Sequence, residues 1–478
     1  MEQNLVRDKS KPIKVIWLVF LSIIIWIILI RAGKEKALPN DLALASGVYF
    51  LCILPSLIYF KRKEKAVPYI QIFGIMYFMY YAYPVFVNYD LFYISGIAPQ
   101  QINKSLVLSL LGISSLLLAF YSPLGAIVKV VPHIKIYWDH SKAFNLGIML
   151  SLAGIFMQYI YADQMYNIPA RLFAVVGFLA SLSLLAIIIL YSLQLQNRLS
   201  LRWKVFLWVF LIPVRLTLDL TGGLTFFFIL DIIIFILIYM QQRQQIPWRG
   251  IVIASLITFF IFSVKTDYRS LISYESPEQY STIPKKVLLY LELLQKRIFG
   301  TEKQIAATYE RLALRTNNVV LFSRIVYLTP DYIPYWNGYT YNTLLYSIFP
   351  RLIVPGKPIK QLGQEFGHRY NLLDYFDRTT SLNLPQLIEM YINFGPLGVI
   401  VGMFLMGLLY RSIYVLLNHP DTGQGGFIIC LAISGTLLNI ESDFSIVFGA
   451  LIQHIILFYF IVRVMRAPIR RIGDGSTK

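Results

Sequence analysis

A chain of 478 residues that is 57% hydrophobic and only 14% charged is not one water-soluble core. A soluble domain carries roughly 25% charged residues and sets its apolar residues in half-buried stripes, whereas here they come in unbroken runs. Forty-three basic against 25 acidic residues give a formal net charge of +18. Nothing points to nucleic acid, because there is no zinc-type Cys/His spacing, no RNA-binding aromatic motif and no long basic tail.

Runs of roughly 20 apolar residues match a hydrocarbon core of about 30 Å. The first, residues 13–30, follows a basic start (Arg7, Lys9, Lys11, Lys14). It exceeds the apolar stretch of a signal peptide, and no small-x-small cleavage site follows before Arg31, so it reads as a permanent span. The pattern predicts about twelve spans, at roughly 13–31, 43–60, 69–88, 104–121, 144–161, 171–193, 205–220, 222–240, 250–265, 386–410, 426–441 and 445–463. Cys52 and Cys430 fall in separate runs and read as small core residues rather than a disulfide.

The gaps between runs alternate in charge. Lys61-Arg62-Lys63-Glu64-Lys65 follows the second run, Lys129 and Lys135 the fourth, Arg198, Arg202 and Lys204 the sixth, and Arg243 and Arg249 the eighth. The tail adds Arg463, Arg466, Arg470, Arg471 and Lys478. The positive-inside rule therefore assigns both termini and the even gaps to the cytoplasm. The first gap, with Arg31, Lys34 and Lys36, is basic although this assignment faces it outward.

The expected organisation is an all-α polytopic membrane protein in three parts. Residues 1–265 hold nine spans, residues 266–385 form one large, partly helical extracytoplasmic loop, and residues 386–478 hold three spans and a basic tail. In the loop, residues 284–315 read as an amphipathic helix with Val287, Leu288, Leu291, Leu294 and Ile298 on one face, following a proline suited to a helix start. A second helix, 317–328, ends at Thr329-Pro330, and a stretch rich in Pro, Gly, Tyr and Asn follows. No solenoid-period repeat and no low-complexity tract occurs.

Charged residues within or beside spans are costly and are functional candidates. Arg215 and Asp219 near the end of the seventh run are one pair; spaced i, i+4, they equally fit a buried ion pair. Lys265-Thr266-Asp267-Tyr268-Arg269 marks the mouth of the ninth, where Arg269 equally fits a snorkelling interfacial residue. The third place runs from Arg315 to Asn393 and includes Phe349-Pro350-Arg351-Leu352-Ile353-Val354-Pro355-Gly356-Lys357-Pro358. Glu441 and Asp443 fit a polar turn, and His454 a hydrogen-bonded structural histidine.

The large loop, Thr329-Pro330, the run Pro334-Tyr335-Trp336-Asn337-Gly338-Tyr339-Thr340-Tyr341, Pro350-Arg351, Pro355-Gly356-Lys357-Pro358 and the return Glu389-Met390-Tyr391-Ile392-Asn393-Phe394-Gly395-Pro396-Leu397-Gly398 together resemble bacterial O-antigen polymerases of the Wzy type. The likeness in layout covers the whole chain, and its sequence signal lies within about residues 315–400. Arg351 and Gly367 are separated by fifteen residues, as in an Arg-x15-Gly element of such polymerases. No second copy starts at Arg215 or Arg269.

The resemblance implies a GT-C-like membrane glycosyltransferase. On the outer leaflet of the cytoplasmic membrane it would move a growing glycan from undecaprenyl diphosphate onto a new lipid-linked repeat unit. Such a site needs cations for the diphosphate leaving group and a base for the acceptor hydroxyl, and no metal or other cofactor. Arg269, Arg215, Arg315 and Arg351, with Lys357, are the cationic candidates, Arg being suited to bidentate grip. His368 and Glu389 are candidate bases, each with a structural alternative. Asn393 and Tyr391 are candidates to orient sugar hydroxyls, and Trp336 to stack on a sugar face. Partners implied are lipid-linked oligosaccharide, membrane lipid, a chain-length regulator and a flippase. An O-antigen ligase shares this layout, and a lipid-linked oligosaccharide flippase is the rival from another class; intramembrane charge is sparse here, which favours surface chemistry over a passage.

Overall fold

A computed structural model describes residues 15–62, 64, 66–164, 168–222, 225–243, 245–275, 278–299, 317–350, 353–354, 356–357, 361–378, 380–419 and 422–467. Among these, all regular elements are helical, and one isolated β-bridge pairs Trp138 with Arg466. Eight helices are long and apolar enough to cross a membrane: Val15–Gly33, Pro39–Arg62, Pro99–Tyr121, His140–Asp163, Val175–Leu195, Trp248–Ser270, Gln386–Asn418 and Phe444–Arg463. Val15–Gly33 leaves Ile16 72% and Trp17 64% exposed. Apolar surface presented so densely suits hydrocarbon rather than water.

The other four predicted runs are also helical, but three of them are interrupted. Tyr69–Tyr81 stops at Ala82 and resumes as Tyr83–Val87 around Pro84, which has no N–H to extend the ladder. The seventh run is built of Leu201–Val205, a π-helical turn Phe206–Leu211 and Ile212–Thr221. The wider turn lies directly before Pro213, where an ordinary helical ladder would meet the proline ring. Thr225–Arg243 is 19 residues long, and the eleventh run is split into Gln424–Ala432 and Ser434–Leu437.

The connecting segments gather at two ends. At one, Asn418 exchanges hydrogen bonds with the backbone of Val67 at 2.7 and 2.9 Å. His133 stacks on His419 with ring centroids 4.4 Å apart, the Asp139 amide donates to Met465 O at 2.8 Å, and Arg243 donates to Leu195 O at 3.1 Å. These are the basic, even gaps and the tail. At the other end Lys36 pairs with Asp90, Tyr80 donates to Glu441 Oε2 at 3.0 Å, and Gln386 donates to Asn439 O at 3.0 Å. The basic first gap therefore sits with the third, as the alternation requires.

Helices come close where a side chain is missing. A Cβ on Gly154 would lie 2.1 Å from the Ser183 backbone nitrogen, so glycine alone lets His140–Gln164 and Ala170–Leu195 pack backbone to backbone.

Within the large loop, Ile283–Ile298 forms the expected first helix; its predicted continuation to 315 lies outside the described residues. This helix is not displayed in open solvent. Tyr290 donates to Ile261 O at 2.9 Å and Arg297 to Asp267 Oδ2 at 2.7 Å, so it runs against the C-terminal half of Trp248–Ser270. Leu288 and Leu291, 66% and 57% exposed, form its uncovered apolar face. Asn318–Leu328 is the second helix, largely buried, with Ser323 joined to Ser105 at 2.7 Å.

Candidate active site at the membrane–loop junction

Gln386–Ile413 is interrupted at Gly395, whose φ of +66° and ψ of −152° are open only to glycine. The break frees a short limb, residues 386–393, in which every residue is buried. The turn at Asn337 (φ +47°) and Gly338 (φ +84°) folds the Pro334–Tyr341 stretch back onto that limb, and the Trp336 amide donates to Ile392 O at 2.9 Å. Thr340 is thereby carried to the limb's polar side.

A buried polar cluster results. Asn393 Nδ2 donates to Thr340 Oγ1 at 2.9 Å and to Glu389 O at 2.8 Å. Ser445 Oγ donates to Thr340 O at 3.2 Å. The Phe444 amide donates to Glu389 Oε2 at 2.6 Å. Glu389 exposes 0% of its surface; among the described residues its Oε1, like Asn393 Oδ1, makes no well-formed hydrogen bond, the Thr340 side chain being its polar neighbour. An unmatched buried oxygen costs about 1–3 kcal/mol, more if charged, so this arrangement asks for a functional reason. Tyr341 closes the cluster; burial first, then the Glu389 and Asp443 carboxylates, hold its phenol well above its ordinary value and keep it neutral.

Beside the cluster, and sharing Ser445 with it, lies a cavity of about 530 Å³ whose wall includes Lys357, Arg378, Ser381, Asp443, Ser445 and Gln453. Asp443 Oδ1 accepts from the Ile446 amide at 3.0 Å and so caps the last helix. Lys357 Nζ donates to Phe349 O at 3.4 Å, and the Arg378 guanidinium lies 5.7 Å from the Tyr375 ring centre. The cavity thus has two cations and a carboxylate in its wall, with a second carboxylate one residue behind it.

The structure sorts the sequence candidates. Glu389 and Asn393 form the buried cluster and Lys357 lines the cavity. Arg315 and Arg351 lie outside the described residues, and Gly367 is a packing glycine whose Cβ would meet Leu373 at 2.5 Å. Arg269 ends its helix exposed and lines neither this cavity nor the second large one. His368, half-buried, also lines neither cavity, and its Nε2 has no hydrogen-bond partner among the described residues.

Three expectations need correcting. Trp336 is only 6% exposed and Arg369 covers its ring at 4.9 Å, which leaves no face for a sugar. Tyr391 is fully buried and its hydroxyl proton is taken by Thr329 O at 3.0 Å, so it lines neither cavity and has no donor left for a sugar hydroxyl. Arg215 is enclosed: Nε meets Asp231 Oδ2 at 2.5 Å, Nη2 meets Asp231 Oδ1 at 3.1 Å, and Ser183 and Gln158 take Nη1. Asp219 Oδ2 lies 3.7 Å away. The ion-pair alternative describes Arg215, and its fork is turned to carboxylates rather than to a diphosphate.

Sequence reasoning missed Arg378, Thr340, Gln453 and Asp231. Asp231 left a signal, since a lone acid in the apolar run 225–243 demands a partner. Arg378 and Gln453 left none, because only tertiary folding brings the loop to the last helix.

Fold and site together define a multi-pass helical membrane protein with a cationic, carboxylate-backed cavity at one end of the bundle. No family model matches the chain, nor does a curated protein or a solved structure.

Proposed function

We propose that the protein is a membrane glycosyltransferase that polymerises undecaprenyl-diphosphate-linked oligosaccharide units into a surface polysaccharide. The observation that carries this reading is Glu389, a fully buried carboxylate held by the Phe444 amide with the Thr340 side chain beside it and with no cation paired to it among the described residues, set behind a cavity bearing Lys357 and Arg378. The acceptor hydroxyl attacks the anomeric carbon of the growing glycan, and the carbon–oxygen bond to the diphosphate breaks. The diphosphate leaves with the bonding electrons, and its charge is met by the two cations. Glu389, which stands behind the cavity wall rather than in it, receives the hydroxyl proton through one water admitted with the substrate. The reading includes twelve spans in a GT-C-like arrangement, the four shorter or broken runs each crossing the bilayer. It sets both termini in the cytoplasm and the cavity at the outer leaflet of the cytoplasmic membrane.

The test uses purified protein in nanodiscs with lipid-linked repeat units extracted from the cells that make it. A ladder of products without any membrane gradient is expected. Glu389→Gln retains the acceptor for the Phe444 amide and should cut ladder formation at least about 100-fold; Arg378→Gln should do the same. Wild-type ladders from both variants overturn the assignment. Transfer of one finished glycan to lipid A core instead indicates a ligase, and movement of units across the bilayer without joining indicates a flippase.

A further inference from the structure

A second cavity of about 530 Å³ opens on the other side of the loop core, among Ser95–Ile97, Arg324, Tyr327, Tyr332, Arg369 and Asn371. Among the described residues no acidic one lines it; Asp331 lies beside Tyr332, outside the lining. Arg369 Nη2 donates to Pro334 O at 2.9 Å, and its plane rests on Trp336. Arg324 Nη2 donates to Asn371 O at 3.4 Å. Among the described residues each guanidinium makes only that one hydrogen bond, so both forks are oriented while most of their donors point elsewhere. Tyr327 and Tyr332, 47% and 67% exposed with ring centres 5.4 Å apart, add aromatic surface to the same wall.

We propose that this groove binds an anionic saccharide, a glycan segment carrying carboxylate or phosphate ester groups. Paired arginines without acids select an anion, since an Arg fork matches a carboxylate or phosphate bidentately. Exposed tyrosines and the Asn371 side chain suit a ring with both apolar and hydroxyl faces. The position suits an extended ligand more than a lone ion. Leu362, Gly363 and Gln364 line the first cavity and Arg369 the second, and both sets belong to one helix, Leu362–Arg369. From Gln364 to Arg369 is five residues, about 7.5 Å along the helix axis at 1.5 Å per residue. The proposal rests on the polymerase reading only for the source of the glycan, which would run from the first cavity, where its diphosphate end sits, into the second.

The experiment measures binding to the purified full-length protein in nanodiscs, with no lipid-linked substrate present. The probes are tri-galacturonate, a heparin-derived tetrasaccharide, neutral maltotriose and inorganic pyrophosphate; the readouts are calorimetry and the fluorescence change expected from Trp336 beneath Arg369. At least one acidic probe should bind about tenfold or more tighter than maltotriose, with a Kd that rises with salt. Arg324→Gln and Arg369→Gln should each weaken it about tenfold, while Lys357→Gln in the first cavity leaves it within about twofold. Arg369→Lys separates fork from charge and should recover only part of the loss.

Equal binding of maltotriose, failure of both acidic probes, or loss in the Lys357 variant alone overturns the proposal. So does pyrophosphate binding that depends on Arg324 and Arg369 where the saccharides do not bind, because that outcome makes the groove a headgroup site. Ladders formed without acidic-saccharide binding refute the groove and spare the polymerase reading; binding without ladders does the reverse.

Discussion

Arg215 carries a guanidinium into a bundle of apolar helices, and its position is tolerable because four side chains from three other helical stretches and its own meet it. Gln158 and Ser183 reach it from His140–Gln164 and Ala170–Leu195, Asp231 from Thr225–Arg243, and Asp219 from its own helix. The i, i+4 spacing made the Asp219 contact legible. The shorter contact to Asp231 was not, because pairing across helices has no fixed spacing in sequence. Removing one member of a buried pair leaves an uncompensated charge and costs about 3–5 kcal/mol. Asp231→Ala should therefore lower the thermal unfolding temperature of the detergent-solubilised protein markedly. Joint replacement Arg215→Met, Asp219→Asn and Asp231→Leu removes the charges together and should recover most of the loss. A stable single variant would mean that the network does not hold the bundle together.

At the scale of elements, hydropathy located the helices better than it described them. A run counts as apolar whether or not its backbone is continuous, so the π-helical turn at Phe206–Leu211 and the break at Ala82 were not legible, though Pro213 and Pro84 lie beside them. The break at Gly395 has the most consequence, because it creates the limb that bears Glu389 and Asn393. Sequence reasoning named both residues without the bend that puts them on one buried patch. A Cβ at position 395 would lie 2.7 Å from Tyr335 Oη, and the φ/ψ pair costs a non-glycine residue about 1–3 kcal/mol. Gly395→Ala should displace the limb against Tyr335 and cut ladder formation by at least about tenfold while the protein still reaches the membrane. Gly154→Ala offers a contrast. It pushes two helices apart far from the cavity, so it should lower thermal stability and leave the rate per folded molecule unchanged. Equal effects of the two substitutions on that rate would refute a local role for the Gly395 bend.

For the molecule as a whole, geometry gathers the gaps at two ends but does not say which end faces the cytoplasm; charge decides that. The end containing Lys61, Arg62, Lys135, Arg198 and Arg243 is the one expected to stay on the cytoplasmic side, since translocating such gaps is disfavoured. On that expectation the loop that contributes to both cavities faces outward. The two native cysteines provide a quiet background for a direct test, because Cys52 and Cys430 are 2% and 0% exposed. Single cysteines at Asp331, exposed on the cavity-bearing loop, and at Ser141, exposed at the start of the His140–Gln164 helix, report the two ends. In intact cells an impermeant maleimide should label Asp331→Cys and spare Ser141→Cys, and permeabilisation should make both reactive. Labelling in the opposite order would turn the molecule over and put the Glu389 cavity in the cytoplasm, where a glycan already carried to the outer leaflet cannot be its substrate.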